Sequence, residues 1–166
     1  MDSVLSARAE RWPLTPILNY TTECDSGFIV REIRPLRVFK SKEFVRFTRR
    51  EKIADTVLCD AVARAERGAI DADLGGGLIK QRVARPGQGR SGGFRTLLVY
   101  RAATRIVFVY GFAKSERANI TPDRLLFWRR IAAVYLAMTE VSIDAVIADG
   151  ELEEVVCNGK TNDKIP

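Results

Sequence analysis

Between positions 80 and 117 the chain sets out Lys80, Arg82, Arg85, Arg90, Arg95, Arg101, Arg105, Lys114 and Arg117 against a single acid, Glu116. Cations this dense repel one another unless the segment meets a polyanion. Their spacing points to phosphate chemistry. Lys80 and Arg82 are two residues apart in a strand-like run, so they project from one face of a sheet, and Arg95 in the next run joins them if the register allows. A planar guanidinium grips a phosphate through two parallel hydrogen bonds, and a lysine beside it neutralises charge developing on a scissile phosphodiester. Lys114, just past a third run, can turn across the end of the sheet. Lys80, Arg82, Arg95 and Lys114 are therefore the catalytic candidates. Arg85 and Arg90 belong to a Gly-rich connector, RPGQGRSGG, that can track a neighbouring phosphate, and Arg117 adds a further cation beyond the third run. The connector lacks the GK[ST] ending of a P-loop and the helix behind it. A solvated basic strand face has the same composition, so spacing alone leaves both readings open.

A sheet must position these residues. The runs GLIKQRVA, FRTLLVYR and RIVFVYGFAK, separated by RPGQGRSGG and AAT, predict a three-stranded antiparallel meander. Such a sheet buries one face, which makes Phe94, Tyr100, Phe108 and Phe112 core residues and leaves Tyr110 between core and base-stacking roles. Upstream, LRVFK reads as a short strand and Ser41 as a helix N-cap. Phe44, Phe47 and Ile53 outline one helix, and Val57, Leu58, Ala61, Val62 and Ala65 a second, ended by Gly68. AIDADLGGG is turn chemistry. Downstream, Thr121-Pro122-Asp123 opens a helix through LLFWRRIAAVYLAM, Ser142 caps a last short helix, and GELEEVV trails into a tail. The fold class expected is α+β: a small antiparallel sheet with an N-terminal helical hairpin and C-terminal helices. Prolines at 13, 16 and 35 mark residues 1–35 as a poorly ordered extension, 36–157 form the folded domain, and 158–166 a disordered tail.

With 166 residues, 46% hydrophobic, the chain supports one core. Its net charge of +6 and pI of 9.5 favour an acidic partner. No apolar run approaches the roughly 20 residues of a membrane span, and no signal-peptide core is present, so a cytoplasmic protein without membrane contact is expected. Cys24, Cys59 and Cys157 are far apart, without a CxxC pair or any histidine, which speaks against a zinc site and more strongly against a disulfide. They are expected to be inert, Cys59 within a helical pattern above all. Residues 139–157 reverse the charge with Glu140, Asp144, Asp149, Glu151, Glu153 and Glu154. These acids either fold near the basic array or line a solvated helix.

The runs DLGGGLIKQRVARPGQGRSGGFRTLLVYR and RIVFVYGFAKSERANI, with the opening FKSKEFVRFTRREKI, strongly resemble the HigB-like branch of the RelE/ParE toxin superfamily, the toxins of bacterial type II toxin-antitoxin pairs. The resemblance covers about residues 36–156. It implies a RelE-like fold and a cognate antitoxin. RelE-type members imply a metal-independent endoribonuclease, without cofactor, that cleaves mRNA in the ribosomal A site by attack of the ribose 2′-hydroxyl on the adjacent phosphate. ParE-type members poison DNA gyrase instead, and an inert RNA-binding module would use the same basic face. By the resemblance, Lys80 serves as base or neutraliser, and Arg82 and Arg95 hold the phosphate. Ser115 stands where RelE carries a second arginine, with Lys114 and Arg117 as substitutes. Ile120 or Thr121 stands near the position of its tyrosine, and the histidines of related toxins are absent. The general base is thus left to Lys80, Glu116 or Tyr110. Relatives begin close to the RVFK step, so residues 1–35 are expected to be upstream sequence translated in error.

Overall fold

The computed structural model describes residues 36–101, 104–113 and 120–157, with the backbone alone at 89–91. The expectations for the 1–35 extension and the 158–166 tail, and those placed on Lys114, Glu116 and Arg117, lie outside the described residues.

Strand β1 (Arg37–Ser41) ends where the Ser41 hydroxyl accepts the Phe44 N–H at 3.3 Å, and this cap starts α1 (Lys42–Glu51). Lys52 takes a left-handed conformation (φ 54°) that closes α1 and turns Ile53 into the core. Helix α2 (Asp55–Glu66) buries Leu58, Ala61, Val62 and Ala65 at the spacing the sequence displays. Then follow β2 (Ala72–Asp73), β3 (Leu78–Arg85), β4 (Gly89–Arg101), β5 (Arg105–Ala113), α3 (Pro122–Ala137), α4 (Glu140–Ala148) and β6 (Leu152–Val155).

The expected meander is present as β3-β4-β5, but the sheet is larger and mixed, in the order β2-β3-β4-β5-β1-β6. β1 inserts parallel to β5, and β6 pairs antiparallel to β1. GELEEVV is thus an edge strand rather than a tail. Its burial runs buried, exposed, exposed, buried, so Glu153 and Glu154 hide the strand from any reading of alternation. Thr139, not Ser142, caps α4: its hydroxyl oxygen accepts the Ser142 N–H at 3.2 Å. The α+β class stands.

Helices cover both faces of the sheet. Under α1 and α2 lie Val38, Phe44, Phe47, Leu58, Ile79, Val83, Phe94, Leu98 and Phe108. Under α3 and α4 lie Phe39, Leu78, Leu97, Val99, Val107, Trp128, Ala132 and Ile143. Phe94, Phe108 and Phe112 are buried as expected, and Tyr100 is half-buried.

The expectation for the cysteines is overturned at two positions. Cys59 on α2 and Cys157 after β6 form a disulfide across 98 residues, with their Cα atoms 5.4 Å apart. A helix position far from any second cysteine looks inert in sequence; only the seating of β6 at the edge of the sheet brings Cys157 to α2.

Candidate functional site

Register decides which cations meet. On the β3–β4 ladder Arg82 stands opposite Arg95 and Lys80 opposite Leu97. On the β4–β5 ladder Arg95 stands opposite Phe112 and Leu97 opposite Tyr110. Two rows therefore cross three strands spaced about 4.8 Å apart: Arg82, Arg95 and Phe112, then Lys80, Leu97 and Tyr110. Leu97 belongs to the core beneath α3, so both rows face the α3 side of the sheet.

A β-bulge completes this arrangement. Strict alternation along β5 would send Phe108, Tyr110 and Phe112 to one face. Instead Leu98 pairs with Phe108 and Leu97 with Tyr110, which leaves Val109 as the extra residue. Phe108 stays in the core under α1 and α2, while Tyr110 and Phe112 come to the side of Arg95. Gly111, between them, faces the other way beneath the Phe47 ring. A Cβ there would stand 2.3 Å from Phe47 Cε1, so only glycine fits.

The three strand cations are held differently. Arg82 is tied to Asp71, whose Oδ2 accepts the Arg82 backbone N–H at 2.6 Å and whose Oδ1 lies 3.5 Å from Nε; Arg64 donates to the Arg82 carbonyl. Nearly half of the Arg82 side chain remains exposed (46%). Lys80 and Arg95 are half-buried and make no hydrogen bond or ion pair among the described residues. Two cations without a counter-charge among the described residues, beside a third that is partly open, have the chemistry to accept phosphate oxygens.

The acids of residues 139–157 meet the basic array only at Arg105 among the described contacts and otherwise pair on β1 and α1. Arg37 binds Glu140, Asp144 and Glu154 at 2.9–3.1 Å, Lys40 binds Glu153 at 2.6 Å and Asp55 at 2.9 Å, and Lys42 binds Glu151. Arg105, which the sequence counts in the basic array, is buried and donates to Glu140 and to the Tyr135 and Met138 carbonyls. The Arg105 guanidinium, with Arg37 behind it, holds the Glu140 carboxyl below the usual carboxylate range against the opposing effect of burial. The acidic segment thus neutralises the β1 and β6 side of the sheet and leaves Lys80 and Arg95, on β3 and β4, without a carboxylate partner among the described residues.

Of the remaining candidates, Arg85 lies over the Phe94 ring (5.2 Å), a residue of the opposite core, and is not brought to the cation face. Arg90 falls on β4, where its side chain is not described. Tyr110 joins the face: its ring stacks on Trp128 (5.1 Å) and lies 5.7 Å from Phe112. Sequence reasoning missed Asp71 and Arg124. Arg124, in the first turn of α3, sits over the Tyr110 ring (5.6 Å) and donates to its hydroxyl at 3.4 Å. A signal was present, because Arg124 precedes Trp128 by four residues and so shares its side of a helix. Asp71 lies in turn-like text that gave no such sign. No group of three His, Cys, Asp or Glu side chains able to hold a metal occurs among the described residues.

A six-stranded mixed sheet between two helical layers, with a cluster of three strand cations on one face, defines an α+β protein of RelE-like architecture. The model of the RelE toxin of the RelE/RelB toxin-antitoxin system matches residues 36–155, and the chain belongs to that family. It is a toxin of a toxin-antitoxin system, and an antitoxin is its partner. No curated protein matches the chain.

Proposed function

We propose that this toxin, of the HigB-like branch, is a ribosome-dependent mRNA endonuclease acting in the cytoplasm and silenced by its antitoxin. The observation that carries the reading is the pair of rows that sets Lys80 and Arg95, both without a counter-charge among the described residues, beside Arg82 on one face. In the reaction the ribose 2′-oxygen attacks the adjacent phosphorus and the P–O5′ bond breaks. The upstream fragment keeps a 2′,3′-cyclic phosphate and the downstream fragment a 5′-hydroxyl. The 2′-hydroxyl proton passes to a base on the protein, and the 5′-oxygen takes up a proton as it leaves. Arg82 and Arg95 hold the non-bridging oxygens, whose charge grows in the transition state, and Lys80 neutralises it. Tyr110, in the row of Lys80, is the candidate proton acceptor within the described residues. The reaction balances without an oxidant, a reductant or a group carrier.

Full-length protein added to ribosomes programmed with a short mRNA tests the reading. Fragments with 5′-hydroxyl ends are expected from the wild type, with a loss on the order of a hundredfold or more for Arg95→Ala and Lys80→Ala. Intact mRNA with wild-type protein would refute it.

A further inference from the structure

We infer that Arg124 is a further RNA contact, holding the phosphate next to the scissile one across the Tyr110 side of the site. The inference rests on the nuclease reading and deepens it. Lys80, Leu97 and Tyr110 form one row across β3, β4 and β5, so Tyr110 marks the side of the site opposite Lys80, two strand spacings or about 10 Å away. No cation on β5 serves that side: the described strand runs from Arg105, which Glu140 and two carbonyls consume, to Ala113. Arg124 supplies one from α3. Its guanidinium lies 5.6 Å above the Tyr110 ring and donates to the hydroxyl at 3.4 Å, and the ring is fixed in turn by Trp128 and Phe112. The side chain is exposed and has no carboxylate partner among the described residues, so its remaining N–H groups are open to a phosphate. A guanidinium anchored on an aromatic ring loses less conformational entropy on binding than a free one. The bulge matters here as well, because without it Tyr110 would face α1 and Arg124 would have nothing to rest on.

The test measures the affinity of the full-length protein for a short single-stranded RNA over a salt series, alongside cleavage on programmed ribosomes, for Arg124→Ala, Arg124→Lys and Arg95→Ala. Arg124→Ala is expected to weaken RNA binding about tenfold and to flatten the slope of log affinity against log salt by about 0.7, one phosphate contact. Arg124→Lys is expected to keep that slope, and the melting temperature of each variant shows whether folding has changed. If Arg95→Ala weakens binding while Arg124→Ala leaves both affinity and slope unchanged, the role of Arg124 is overturned and the nuclease reading stands. If neither variant alters RNA binding or cleavage, the reading beneath it falls, and the inference with it.

Discussion

Arg82 and Arg95 stand directly opposite each other on the β3–β4 ladder, on the α3 side of the sheet. Like charges at a directly opposed pair destabilise a sheet by about 0.2–1 kcal/mol. Asp71 relieves Arg82, and nothing described relieves Arg95. Folding gains nothing from the opposed pair, whereas the proposed RNA ligand would. Arg95→Gln should therefore raise stability by up to about 1 kcal/mol at low salt while abolishing cleavage, and the gain should vanish at high salt. Thermal melts at two ionic strengths check this; a variant less stable than wild type at low salt contradicts it.

Gly111 and Phe47 make a second prediction. The ring occupies the space a Cβ would need, with Phe47 Cε1 2.3 Å away. Gly111→Ala must push the ring, and α1 with it, off β5, at a cost of about 1–3 kcal/mol or more. Urea denaturation should show a lower midpoint with little change of slope. An unchanged midpoint would mean that α1 does not sit tightly on β5.

The pH dependence follows from Glu140. Its carboxyl titrates below the usual range because the folded state places it against Arg105 and then Arg37. A group whose folded pKa is lowered contributes stability above its unfolded pKa and loses it as pH falls through the folded value. Stability should therefore decline in acid, below the ordinary carboxylate range. Glu140→Gln should be less stable at neutral pH and should lose less than wild type on acidification, as equilibrium unfolding across acid and neutral pH will show. Parallel curves for the two proteins would contradict the linkage.

Reduction of the Cys59–Cys157 disulfide should lower stability by on the order of 4–5 kcal/mol in the chain-entropy view, since the bond closes a loop of nearly 100 residues. Both cysteines belong with the core under α1 and α2, on the face opposite Lys80 and Arg95. Dithiothreitol is thus expected to reduce the melting temperature while leaving mRNA cleavage intact in protein that remains folded. Loss of cleavage below the melting transition would place the disulfide in the function.

Local chemistry was legible in the sequence. Ser41 caps α1, the spacing of Leu58, Ala61, Val62 and Ala65 shows the buried side of α2, and the parity of Lys80 and Arg82 holds in β3. What escaped depends on distant pairings. β1 lies beside β5 and β6 beside β1, although dozens of residues separate each pair, and no periodicity records a partner. The bulge at Val109 changes the facing of Tyr110 through a one-residue mismatch between two strands, which neither strand shows alone. The fate of the acidic segment likewise became plain only once β6 set Glu153 and Glu154 against Lys40 and Arg37.

The central claim is that Lys80, Arg82 and Arg95 together cleave mRNA on the ribosome. Mapping mRNA 5′ ends genome-wide in cells expressing the full chain, its Lys80→Ala variant and its Arg95→Ala variant tests that most directly. The account predicts codon-phased 5′-hydroxyl ends within translated messages that disappear in both variants. Intact messages alongside gyrase-linked DNA breaks, or cuts that persist in both variants, would contradict it.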